Sequence, residues 1–206
     1  MVAPPPDPVF DENMSSSTGW TSNGTDVTIG SGLMNWTGST DGDYMYKACD
    51  VVLNDTAWVF DFDLKVNSSS GFPFADRIAI SDKAGVNPST ANNDMLGIRF
   101  GVNAGPTYLE RTTKKDGSGS LGSSADGDNV GTTLRYWELI RTSATNLDNS
   151  IYTDSDRTTA LGTNPLSLTI DSTIIDLQYV YGYTQGTTMA CQGDNFKIWN
   201  NVTERP

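Results

Sequence analysis

The stretch 57–66, AWVFDFDLKV, constrains the fold of this chain more than any other. Trp58, Phe60, Phe62, Leu64 and Val66 fall on one side of a period-two pattern, with Ala57, Val59, Asp61, Asp63 and Lys65 on the other. A strand separates these two sets, because its successive side chains point to opposite faces. A helix would scatter the five large apolar residues around its circumference. The apolar set requires a core beneath it, and the charged set requires water or a ligand groove.

The same alternation recurs along the chain. Segment 77–81 places Ile78 and Ile80 inward, and 95–102 does so with Leu96, Ile98, Phe100 and Val102. In 134–142, Arg135, Trp137, Leu139 and Arg141 share one face, and Tyr136, Glu138 and Ile140 share the other. Each face carries apolar and charged groups, so the core side stays open. Segment 193–201, GDNFKIWNN, alternates Phe196 and Ile198 with Lys197 and Trp199 and reads as a closing strand beside the N-terminal segment. Further short strands are expected at 9–13, 44–52, 107–111, 149–153, 166–170 and 177–183, with a hairpin over 27–36 around Gly30 and Gly32. The run 112–133, rich in Gly, Ser, Asp and Lys, reads as a long loop. No stripe with helical spacing occurs. Roughly ten to twelve strands joined by turns predict an all-β fold, two antiparallel sheets packed as a jelly-roll sandwich. A single domain is expected over 9–203. Residues 1–8, MVAPPPDP, read as a stiff Pro-rich linker to a longer surface protein.

Composition narrows the function. The formal net charge of −12 repels nucleic acid and anionic lipid, and no apolar run is long enough to cross a membrane as a helix. The same charge supplies carboxylates for cations such as Ca²⁺. The chain has no histidine, which removes Ser-His-Asp and Cys-His catalysis and His-ligated zinc. Its two cysteines, Cys49 and Cys191, read as one disulfide formed in an oxidising compartment, with two buried free thiols as the alternative.

One candidate binding surface stands out. Tyr179, Tyr181 and Tyr183 alternate, so their rings share one face of one strand. Exposed rings at that spacing suit stacking on pyranose sugars, and Trp137 and Trp199 extend the surface. Asp61, Asp63, Arg77, Arg99 and Arg141 are the polar groups expected to fix sugar hydroxyls. The alternatives are that the tyrosines are half-buried core residues, and that the charged set is a mutually neutralising ladder across strands.

The order of these signals resembles the concanavalin A-like lectin/glucanase superfamily, close to the laminin-G-like modules of microbial surface proteins. It runs from VFDENMSSSTGW through DVTIGSGLMNW, DTAWVFDFDLKV, DMLGIRFGVN and YWELIRTSATNLDNSIYTDSD to GDNFKIWN, nearly the whole chain. The resemblance implies a sandwich with a role in glycan binding, adhesion or glycan cleavage. The Glu-x-Asp-x-x-Glu run of the superfamily's glucanases is absent, as is the histidine of its alginate lyases, so the implied role is a non-catalytic, extracellular or cell-surface, carbohydrate-binding module. A structural subunit of a surface assembly or appendage is one alternative, and a glycan hydrolase or lyase working through carboxylates and tyrosine is another. The resemblance also implies a structural calcium ion between the first and last strands, held by Asp11, Glu12 and Asp194. Calcium takes six to eight oxygen ligands, which carboxylates and main-chain carbonyls supply. The pairs Asp41/Asp43, Asp126/Asp128 and Asp154/Asp156 are further candidate ligands.

Overall fold

A computed structural model describes residues 4–37, 42–103, 107–124, 127–162 and 164–206. Thirteen strands form, and there is no helix among the described residues. In chain order they are β1 (Phe10–Glu12), β2 (Thr21–Ser22), β3 (Val27–Gly30), β4 (Leu33–Trp36), β5 (Tyr44–Ala48), β6 (Trp58–Ser81), β7 (Met95–Asn103), β8 (Thr107–Lys115), β9 (Gly122–Ser123), β10 (Arg135–Ser143), β11 (Asn146–Tyr152), β12 (Leu166–Thr169) and β13 (Tyr179–Asn200).

Two of these strands are much longer than the alternation predicts. The segments expected separately at 57–66 and 77–81 are the two ends of β6, and those at 177–183 and 193–201 are the two ends of β13. The two run antiparallel along their whole length, from Tyr179 opposite Ser81 to Asn200 opposite Trp58. Their register shifts at four places, including Gly182/Gln185 and Asp194/Lys197. Such irregularities bend and twist a ladder, which lets one pair of strands serve two layers. The first half of β6 and the second half of β13 belong to a sheet with β10, β11 and β12 on one side and β1 and the β3–β4 hairpin on the other. The remaining halves belong to a second sheet with β7, β8 and β9 on one side and β5 and β2 on the other. The result is the predicted two-sheet antiparallel sandwich.

The core lies between the layers. Phe60, Phe62 and Leu64 from β6, Leu139 from β10, and Phe196 and Ile198 from β13 meet Ile78, Ile80, Leu96, Ile98 and Phe100 from the other sheet. Trp137 settles the open face of β10: its ring stacks on Phe62 at 5.9 Å and meets Phe100 edge-on at 5.8 Å. Burying each of these large side chains contributes roughly 1.5–3 kcal/mol. With Trp137 inward, Tyr136, Glu138 and Ile140 must point away from the core. Gly182 has no side chain for a packing reason, since a Cβ there would run into Met34, Trp36 and Val27 of the hairpin laid against it.

The chain ends lie together, as the closing-strand reading requires. Phe10 pairs with Ile198 and Asp11 with Lys197, and the Val9 amide donates to the Ile198 carbonyl at 2.7 Å. The disulfide does not form. Cys49 and Cys191 are both free and buried. The Cys49 amide donates to the Gln178 carbonyl at one end of β13, whereas Cys191 lies far along the same strand, between Trp36 and Val66. The ends of the polypeptide meet, but Cys49 does not sit at the end that meets. The expected loop 112–133 is also partly strand, because β8 continues to Lys115 and pairs with β9.

Candidate functional site

On the side of the first sheet away from the core, the register collects a polar patch. Asp61 stands opposite Glu138 on β10 and Lys197 on β13, and Asp63 stands opposite Tyr136 and Asp194. One strand further out, Tyr152 faces Tyr136 and Ser150 faces Glu138. Trp199 lies opposite Val59. All of this follows from the parity of 57–66, once its odd-numbered residues turn outward.

Two arginines close over the patch. Arg157, in the turn after β11 with a left-handed φ of 55°, places Nε 3.4 Å from Asp61 Oδ2 and Nη2 3.4 Å from Asp63 Oδ1. Its guanidinium also lies 5.8 Å from the centre of the Tyr136 ring. Arg205, near the C-terminus, places Nη1 3.9 Å from Asp61 Oδ2, and its Nη2 donates to the Asp156 carbonyl at 3.0 Å. Between these groups is a cavity of about 470 Å³, lined among others by Asp61, Asp63, Tyr136, Arg157, Lys197 and Trp199.

The acids are held differently. Asp63 Oδ2 accepts a hydrogen bond from Asn195 Nδ2 at 2.7 Å, with Asn195 turned onto it at the β13 bulge by a φ of 53°. Glu138 Oε1 accepts from the Tyr152 hydroxyl at 3.3 Å. Asp61 is 3% exposed, and its Oδ1 accepts no hydrogen bond. Burial pushes the Asp61 carboxyl up to about 7; Arg157 opposes that rise and Glu138 adds to it. Burial also raises Asp63 and Glu138 above the usual carboxylate range. Desolvation disfavours the charged form, so this patch holds protons that exposed acids would have lost. Chemically it offers acceptor oxygens on a floor, a guanidinium above them, and aromatic edges beside them.

Of the residues expected to bind sugar, the structure brings Asp61, Asp63 and Trp199 together here. Tyr181 and Tyr183 are fully buried, which corrects the expectation of an exposed ring platform. They lie on the outer side of the second sheet, clustered with Tyr44, Ala79 and Met95, with Tyr46 and Tyr179 packed against them. Segment 82–94 covers them: the Tyr181 hydroxyl donates to the Lys83 carbonyl and that of Tyr44 to the Gly85 carbonyl, each at 2.6 Å. Trp137 is core. Arg141 is buried and donates to the Ala144 and Ile174 carbonyls at 3.2 and 2.8 Å. Arg77 is buried at the bend of β6 and donates to the Gln185 and Met189 carbonyls. Arg99 belongs to β7 in the other sheet. These arginines cannot serve one groove, because the strands that carry them diverge into separate layers.

The calcium ligands do not converge either. Asp11 pairs with Lys197 at 3.5 Å, Glu12 pairs with Lys47, and Asp194 accepts from the Asn195 amide at 2.7 Å. No group of three or more acid, cysteine or histidine side chains among the described residues is placed to hold a metal. In the turn pairs, Asp43 accepts from the Thr25 and Asp26 amides and Asp154 from the Thr158 and Thr159 amides. Asp41 and Asp126 lie outside the described residues.

The site residues missed from sequence are Tyr136, Glu138, Tyr152, Arg157 and Asn195. The parity of 134–142 carried the signal for the first two. Arg157 comes from a turn and Asn195 from a bulge, where periodicity is silent.

No family model and no curated protein matches this sequence. Solved structures do. A legume lectin-like domain from Entamoeba histolytica matches with a TM-score of 0.60 or above, at 0.64, with 11% identity, covering 96% of this chain and 99% of that one. The CBM2 module of the evolved Dit of Lactobacillus casei BL23 phage J-1 matches with a TM-score of 0.60 and 12% identity, covering 97% and 98%. A lectin from Bauhinia forficata in complex with GalNAc matches with a TM-score of 0.57 and 14% identity, covering 95% and 98%. The fold is the one these structures share, a two-sheet antiparallel, lectin-like sandwich.

Proposed function

We propose that this protein is a non-catalytic carbohydrate-binding module acting outside the cell or at its surface, and that its glycan lies in the groove over Asp61 and Asp63. The observation that carries this reading is the cavity over Asp61 and Asp63, with half-buried aromatic rings, Tyr136 and Trp199, at its sides. Sugar sites combine a few fixed polar groups with apolar ring faces. The neighbours in fold space that carry lectin or CBM in their names support the same reading. A glycan array tests it, followed by titration of any positive against Trp199→Ala. The expected result is a positive whose affinity falls by about tenfold or more in the variant. Binding that is untouched by the substitution overturns this location.

A further inference from the structure

We propose that segment 201–206 is a strap closing the groove, latched by Arg205 onto Asp61, and that neutralising Asp61 releases it. The inference concerns access to the site proposed above and rests on that reading, but its test uses no glycan.

Three observations support the strap. First, its path crosses the groove. The main chain turns back at Asn201, with a left-handed φ of 62°, and the Asn201 amide donates to the Ala57 carbonyl at 2.9 Å. Arg205 then reaches the turn after β11, where it donates to the Asp156 carbonyl at 3.0 Å. Strands β6 and β10 lie between β13 and β11, so the joined pieces bridge them, and Arg205 and Pro206 line the cavity. Second, little besides that arginine holds the segment down. Residues 203–206 are exposed, and no main-chain hydrogen bond involves 202–206 among the described residues. With Pro4, Pro5 and Pro6 the same segment bounds a second cavity, of about 620 Å³, so it is loosely packed there as well. Third, the latch depends on a charge that can be removed. Asp61 is faced by Glu138 from β10 and Lys197 from β13, with Asp63 beside it and Arg157 and Arg205 above. Tyr152 of β11 stands behind, bonded to Glu138. When Asp61 is neutral, Arg157 keeps a second partner in Asp63, at 3.4 Å. Arg205 pairs with Asp61 at 3.9 Å and with no other acid among the described residues. Arginine keeps its charge at any ordinary pH, so only the acid end of the latch switches. Burial pushes Asp61 up to about 7, which places that switch near neutral pH. A half-exposed pair of this length is weak, so losing it shifts a closed–open balance by roughly a few-fold.

Trp199 is a built-in reporter of the strap. Of the five tryptophans, Trp20, Trp36, Trp58 and Trp137 are buried, whereas Trp199 is half-buried in the wall of the groove. The test is quenching of tryptophan emission in the full chain by acrylamide, an uncharged collisional quencher, with Trp199→Phe as the blank. Wild type, Arg205→Ala and Asp61→Asn are compared at about pH 8.5 and about pH 5.5, on either side of the Asp61 transition. At the higher pH both variants should show a Trp199 quenching constant about twofold or more above wild type. Wild type should climb to their level at the lower pH, while the variants stay flat. Should Asp61→Asn fail to fold, Arg205→Ala carries the same test, because it must also lose the pH response. Equal quenching of wild type and Arg205→Ala at the higher pH overturns the strap. A pH response that survives in either variant overturns Asp61 and Arg205 as its latch. Either failure leaves the glycan reading standing, and an empty glycan array leaves the quenching result standing.

Discussion

Glu138 on β10 stands directly opposite Asp61 on β6, so two buried carboxyls face each other across one backbone ladder. Like charges in that position repel. The arrangement persists because both acids are shifted towards the protonated form and because Arg157 and Arg205 lie over them.

Stability should therefore fall as pH rises from about 4 to about 7. The unfolded chain releases the Asp61 proton near the usual carboxylate value, whereas the folded chain keeps it until about 7. Over that window the folded state binds the extra proton, so raising the pH favours unfolding, by on the order of 4 kcal/mol in total. Asp63 and Glu138, shifted the same way, add to the slope. Melting temperatures measured from pH 5 to 8 should decline, and Asp61→Asn should flatten the decline. A wild-type melting temperature that climbs from pH 5 to 7 contradicts this account.

Arg141 should be a structural residue with no part in ligand binding. Its guanidinium satisfies the Ala144 and Ile174 carbonyls from inside the fold. Arg141→Leu strands both and should cost about 3 kcal/mol in urea unfolding. Arg141→Lys should recover little, because an ammonium cannot reproduce the fork.

Both thiols should be inert in the native protein. Burial pushes Cys49 up to about 12 and Cys191 up to about 11, so neither supplies thiolate at neutral pH. A thiol reagent should titrate none in buffer and both in denaturant without reductant. Absence of free thiols under denaturing conditions would restore the disulfide.

Tyr181→Phe should loosen segment 82–94 without touching the groove. It removes the bond to the Lys83 carbonyl and costs about 1 kcal/mol. Faster amide exchange across 82–94, with glycan affinity unchanged, is the expected pattern.

A calcium chelator should leave the melting temperature where it was, since Asp11 and Glu12 already have lysine partners. A drop of several degrees, reversed by added calcium, would reinstate the metal.

The layered fold was legible because burial has a period. Stretches such as 57–66 and 95–102 carry one clean apolar face, and a sandwich is how such strands bury it. Asp61 and Asp63 were legible for the same reason, as the other face of the best strand. The tyrosines misled because alternation reports a shared face and says nothing about what lies over it. Tyr181 obeys the pattern and is covered by a loop. The arginines misled because residues on like-patterned strands share a face locally, while the bend in β6 and β13 sends those strands into different layers. Arg157 and Asn195 reach the groove through backbone conformations with positive φ, which no hydrophobic pattern marks.

The continuity of β6 and β13 through both layers has a mechanical consequence. A sandwich made of two independent sheets has a seam along which it can part, one leaf at a time. Here the same two strands are stitched through each leaf, so separating the leaves means tearing their mutual hydrogen bonds. Unfolding should proceed as one event, with the slowest-exchanging amides of each layer reporting the same opening free energy.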